Sequence, residues 1–183
     1  MLRHQGTKFI ETERLILRRA EASDAQYMFD NWASDPMVTR YLTWPAHSSV
    51  EISQMVIDSW ITEYASDSYY HWMIVLKELG QPIGTIGMGR ISEDFAKAEA
   101  GYCLGRSWWH QGIMTEALQA TMDYLVDEVG FRRIEARHDA RNPHSGAVMR
   151  KCGMVYEGTY REMVRNDKDL CDVCHYAMTL ANE

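Results

Sequence analysis

Between Glu99 and Leu125 the chain reads EAGYCLGRSWWHQGIMTEALQATMDYL, and the residue types in this stretch suit the holding of an anion. Ala98 to Leu104 is a short extended run, and Gly105 and Gly112 lie in the loop after it. Met114, Ala117, Leu118, Met122, Leu125 and Val129 then recur mostly three or four apart, the spacing of a helix with one apolar side. The first N–H groups of such a helix have no partner inside it, and the helix dipole adds partial positive charge there. A phosphate is therefore held with little help from side chains. Gly112 lets the backbone come close to that ligand. The same strand, glycine loop and helix also serve as a plain tight connection, so two readings stand at this point. Cys103 has the chemistry of a nucleophile, but it sits in an apolar strand without a basic neighbour and reads as an inert buried thiol. Cys171-Asp172-Val173-Cys174-His175 has the CxxCH form of a haem attachment site. On an extended strand its two cysteines point to opposite faces, and neither metal nor haem is expected.

Such groups need a scaffold, and the composition is that of one ordinary domain. The chain has 183 residues, 46% of them apolar and 25% charged, which is enough for one full core and reads as a single domain over 1–183. The formal charge of −7 speaks against a nucleic-acid surface and is compatible with a cationic acceptor such as an amine; it also serves solubility alone. No apolar run is long enough to span a membrane, and the first residues lack the apolar core of a secretion signal. A cytoplasmic protein with reduced cysteines is expected.

The elements follow in order. Glu13 to Arg19 reads as a first strand, and Ser23-Asp24-Ala25-Gln26 as a capping box before a helix with Met28, Phe29 and Trp32 on its apolar side. Asp35-Pro36 stops that helix and starts a short helical turn through Tyr41. Ser48 or Ser49 caps the next helix, with Ile52, Met55, Val56, Ser59 and Trp60 at helical spacing. Tyr70 to Lys77, Ile83 to Ile91 and the Glu99 strand, joined by short turns, make an antiparallel meander. Gly130 ends the central helix, and Arg133 to Asp139 is a strand lying parallel to the Glu99 strand. Asn142-Pro143 opens a helix closed by Lys151 and Gly153, and Met154 to Val164 and Leu170 to Leu180 form a final hairpin about Asn166-Asp167-Lys168. The class is α/β, a mixed sheet flanked by helices.

This order, with ETERLILRR, EAGYCLGRSWWHQGIMTEAL, NPHSGAVMRKCGM and YEGTYRE as its landmarks, resembles the GNAT N-acetyltransferase superfamily from about Glu11 to Leu180. Within it the likeness is to the branch that acetylates the N-termini of ribosomal proteins. The resemblance implies the GNAT fold with splayed central strands, acetyl-CoA as donor and an amine as acceptor. The pyrophosphate is then expected on His110, Gln111, Gly112, Ile113, Met114 and Thr115. The family's motif is Gln or Arg, two variable residues, Gly, one variable residue, then Gly or Ala; here Trp109 and Met114 take its ends and only Gly112 fits strictly.

By the same resemblance Asn142 bonds the pantetheine arm or the substrate side, although a cap residue also has its own helix to serve. Ser145 lies near the thioester sulfur. Many relatives carry a tyrosine four residues further on as the acid for the thiolate; Met149 stands there, which leaves Ser145, another tyrosine such as Tyr156, or water. Glu99 is the candidate general base, with an ordinary strand-surface charge as its other reading, and a backbone N–H near Cys103 or Leu104 is the expected oxyanion donor. Glu116 is expected to be structural. The acceptor is a protein N-terminus, as of a ribosomal protein, or a small amine such as a polyamine or antibiotic; a third reading is a non-catalytic acyl-CoA sensor. A homodimer through the last hairpin is expected by analogy.

Overall fold

The structure is a computed structural model that describes residues 1–165 and 169–180; the expected turn at Asn166-Asp167-Lys168 lies outside the described residues. Eight strands form one sheet in the order β1-β2-β3-β4-β5-β6-β8-β7. They are β1 Ile10–Glu11, β2 Leu15–Arg18, β3 Tyr70–Leu76, β4 Gln81–Ser92, β5 Lys97–Leu104, β6 Arg133–Asp139, β7 Val155–Arg165 and β8 Leu170–Thr179. All neighbours are antiparallel except β5 and β6, which run parallel, as expected for strands joined through a helix. The short β1 was not legible as a strand. Among the described residues no helix is long and apolar enough to cross a membrane.

The helices are α1 Asp24–Met28, α2 Pro36–Thr39, α3 Val50–Glu63, α4 Ile113–Tyr124 and α5 Pro143–Lys151; a π turn extends α1 through Ala33 and another extends α4 through Val129. Alternation along the strands feeds two cores. On one face Tyr70, Trp72 and Ile74 of β3 and Ala98, Ala100 and Leu104 of β5 pack against Ile113, Met114, Ala117, Leu118 and Met122 of α4. On the other face Met73 meets Trp32 from the end of α1, Ile57 of α3 and Tyr64, with Cys103 packed at the edge. The apolar residues read for the central helix are all buried, and Gly130 ends it at φ +95°.

Local details differ from the sequence reading. Ser23 makes no side-chain cap; the buried Asp24 carboxylate instead receives Arg18 at 2.7 and 2.8 Å and the Glu21 N–H at 2.8 Å, tying α1 to β2. Asp35 does cap α2, accepting from the Met37 N–H at 2.8 Å. In α3 the buried positions are Ser53 and Ile57; Val56 and Trp60 pack against the same core as expected, whereas Ile52 and Met55 point outward, Met55 at 70% exposed. Tyr69 is half-buried beside His71, while Tyr160 is exposed.

Candidate active site

Two parallel strands that separate leave unpaired backbone between them, and β5 and β6 do so here. They pair from Lys97 opposite Arg133 to Ala100 opposite Ala136. Beyond that point β5 stays with β4 through Leu104, and β6 stays with β8 through Asp139. The gap opens a cleft of ≈ 730 Å³, walled by residues from both faces of the sheet.

The loop after β5 closes one end. Gly105 is demanded by close approach, since a Cβ there would lie 2.4 Å from the Asn31 carbonyl oxygen and 2.5 Å from the Trp108 ring. The Trp109 indole N–H donates to the Leu104 carbonyl at 2.7 Å and so folds the loop onto the strand end. His110 at φ +60° and Gly112 at φ +76° then turn the chain into α4. Glu116 N–H bonds the Gly112 carbonyl at 3.0 Å, so Ile113, Met114 and Thr115 hold the free first-turn donors toward the cleft. The Glu116 side chain is occupied elsewhere: burial raises its pKa, but bonds from Thr12 Oγ1 at 2.6 Å and from Arg14 N and Nε outweigh that and hold the carboxyl below its usual range. It latches α4 to the segment before β2, the structural role expected of it.

Asn142 takes the N-cap position of α5 without a side-chain capping bond, so its amide is not used by its own helix. Three residues on, Ser145 Oγ lies 3.0 Å from the Tyr102 hydroxyl, and the same hydroxyl lies 3.0 Å from the Ser145 carbonyl oxygen. Burial pushes the Tyr102 phenol up, against a smaller lowering by Ser145, so it remains a neutral hydroxyl at any ordinary pH. Met149 is buried in the core. Tyr156 is 51% exposed, bonds Thr159 at 2.7 Å and lies away from the cleft wall.

Glu99 stands on the opposite face of β5, the face that also carries Cys103. Its Oε1 is 3.2 Å from Arg137 Nε and 3.8 Å from Arg90 Nε. Asp139 is clamped by Arg141 through bonds of 2.9 and 2.7 Å; burial raises its pKa and those bonds bring it below the usual carboxylate range. Cys103 lies on the same wall with its thiol pushed up to about 12 by burial, which leaves no useful thiolate. Cys171 faces the cleft, whereas Cys174 packs against the other core, as their odd spacing on a strand requires.

The cleft thus brings together Glu99, Cys103, Leu104, His110, Gly112, Ile113, Met114, Thr115, Asn142 and Ser145. Gln111 is outside it: its amide donates to the Ser107 carbonyl at 2.9 Å and its own carbonyl accepts from Arg14. Three features of the wall escaped the sequence reading. Tyr102 shares the inward face of Ala98, Ala100 and Leu104, and a phenol placed in such a face needs a partner, which was the available signal. His138 presents a buried Nε2 without a hydrogen-bond partner among the described residues, and residues between Met37 and Thr43 line the cleft. Neither has a local sequence signature.

The acetyltransferase (GNAT) domain family matches residues 14–155. A Bacillus licheniformis protein named as an uncharacterized N-acetyltransferase, p20, is 32% identical over 91% of this chain and 93% of its own length. The ribosomal-protein-serine acetyltransferase of Escherichia coli is 30% identical over 63% of this chain and 64% of its own. Among solved structures, the microcin C7 self-immunity acetyltransferase MccE, in complex with acetyl-CoA and AMP, superposes with a TM-score of 0.84 at 18% identity, covering 94% of that chain and 92% of this one. The splayed strands, the open helix start and these matches together establish that the chain belongs to the GNAT acetyltransferase family, as an acetyl-CoA-dependent N-acetyltransferase.

Proposed function

We propose that the chain, working as a single domain, transfers the acetyl group of acetyl-CoA by direct attack to the α-amine of a protein or peptide N-terminus. The observation that carries this reading is a cleft walled from both faces of the sheet, with Ser145 on the α5 side and Glu99 on the opposite face of β5. The pyrophosphate lies on the first turn of α4 with the backbone of His110, Gly112, Ile113, Met114 and Thr115, and Asn142 bonds the pantetheine arm. The thioester then reaches the gap, where a β5 N–H near Cys103 or Leu104 meets the developing oxyanion. The amine enters from the Glu99 side, attacks the carbonyl carbon, and gives up its proton to Glu99 directly or through water. The sulfur leaves with the electron pair of the C–S bond toward Ser145.

An N-terminal amine, with a reference pKa of about 8 against about 10.4 for lysine, is the acceptor most readily neutral near pH 7. The named activity of the Escherichia coli relative supports the same class. The test is thiol release from acetyl-CoA with peptides of different N-terminal residues, run beside Ser145→Ala and Glu99→Gln. Turnover that favours N-terminal Ser or Ala and falls about 10²-fold or more in both variants is the expected result. Acetyl-CoA binding without turnover on any peptide would overturn the reading.

A further inference from the structure

Ser145 raises a problem of proton direction. A serine in the first turn of a helix has several places to send its hydroxyl proton, including the carbonyl one turn back, and only one orientation serves a departing sulfur. Tyr102 carries one proton and has two acceptors within 3.0 Å, the Ser145 carbonyl and Ser145 Oγ. If the phenol donates to the carbonyl, Ser145 must donate to the phenol, and its proton points away from the gap. If the phenol donates to Ser145 Oγ, the serine proton is released for another acceptor. The Ser145 carbonyl belongs to α5 and has the helix ladder to satisfy it, so the second arrangement leaves no group orphaned.

We propose that Tyr102 is a positioning residue: its hydroxyl donates to Ser145 Oγ and thereby aims the serine proton at the sulfur of the leaving coenzyme A. This rests on the role given to Ser145 above and adds the group that makes that role effective. The chemistry balances without ionising the pair. The amine nitrogen forms its bond to the carbonyl carbon, the C–S bond breaks, and sulfur keeps the pair as a thiolate held by the Ser145 O–H. The nitrogen loses one proton to Glu99 or water, the sulfur takes one from solvent, and Tyr102 and Ser145 end as they began. Burial suits the phenol to this task, because it favours the neutral donor. The two hydrogen bonds in series also polarise one another, which strengthens the donor facing sulfur.

The test compares Tyr102→Phe, Ser145→Ala and the double variant in steady-state turnover, with coenzyme A affinity and the melting midpoint measured on each. Phenylalanine keeps the ring and removes only the oxygen. The expected result is a kcat lowered about tenfold in Tyr102→Phe, an unchanged KM for acetyl-CoA, and a double variant no slower than Ser145→Ala alone. That non-additivity is the readout a packing role would not give. Wild-type kcat in Tyr102→Phe with a slow Ser145→Ala overturns the inference alone. Losses that multiply in the double variant overturn it too, since the two hydroxyls would then act separately. A fast Ser145→Ala overturns the role of Ser145 and the inference with it. Should Tyr102→Phe fail to fold, Tyr102→Leu must show the same loss of kcat and the same non-additivity.

Discussion

His71 is a titratable side chain buried away from water that does not line the cleft. Its ring lies 4.0 Å from that of Trp60, stacks near Tyr69, and leaves Nδ1 buried without a hydrogen-bond partner among the described residues. Desolvation pushes its pKa down to about 3, so it folds neutral. The unfolded chain takes a proton near 6.5, so the stability from keeping His71 neutral is whole above that value and is lost as the pH falls toward 3. The loss amounts to about 1.4 kcal/mol per pH unit. In urea unfolding at pH 7 and pH 5, wild type is expected to lose about 2 kcal/mol more than His71→Gln; parallel pH profiles would refute this. None of it was legible in the sequence, because a histidine after a tyrosine pair reads the same in a wet or a dry strand. Glu99 and Ser145 were legible only through the motifs around them, and Tyr102 was passed over because its neighbours are apolar.

At the level of elements, periodicity located helices and strands but fixed their faces only where the pattern was clean. The central helix has one apolar stripe, so Met114, Ala117, Leu118 and Met122 were found at once. α3 carries Ile52, Met55, Val56, Ile57, Trp60 and Ile61 around most of its circumference, and no single face stands out. What orients it is tertiary: Ser53 turns inward to share a 2.8 Å bond with His47 Nδ1, and Ile57 follows into the core beside Trp32. Ile57→Ala is therefore expected to cost about 2–4 kcal/mol in chemical denaturation and Met55→Ala less than about 0.5. Equal losses would mean that α3 packs by the face first read from the sequence. The caps show the same limit. Ser23, Ser49 and Asn142 all stand at helix starts, yet none closes its helix with its side chain; Ser49 bonds the Glu51 carboxylate instead.

For the whole molecule, the order of elements and the parallel β5–β6 pair followed from short turns and one intervening helix, so topology was readable where individual contacts were not. The formal charge was the weaker guide. A chain at −7 suits a cationic acceptor, but the charge that matters is on the cleft wall. There both carboxylates are taken, Glu99 by Arg137 and Asp139 by Arg141, while Arg40 and Lys151 have no carboxylate within ion-pair reach among the described residues. Lys151 sits on α5, which in the proposed arrangement faces the coenzyme, whose phosphates it would meet. Arg40 follows α2, on the side the proposed function gives to the acceptor, its guanidinium 5.2 Å from the Tyr41 ring centre. A polyamine entering this cleft would carry a second ammonium past no free anion. A peptide with an acidic residue close to its N-terminus would meet Arg40. An exposed pair of this kind contributes up to about 1 kcal/mol, or roughly fivefold, and fades as salt screens it. Peptides that differ only by Asp or Lys near the N-terminus should therefore differ by about two- to fivefold in kcat/KM at low ionic strength and converge at about 1 M salt, while spermidine turns over more slowly than either. A preference for the lysine peptide, or spermidine as the best acceptor, would show that Glu99 and Asp139 are released from their arginines when the acceptor binds.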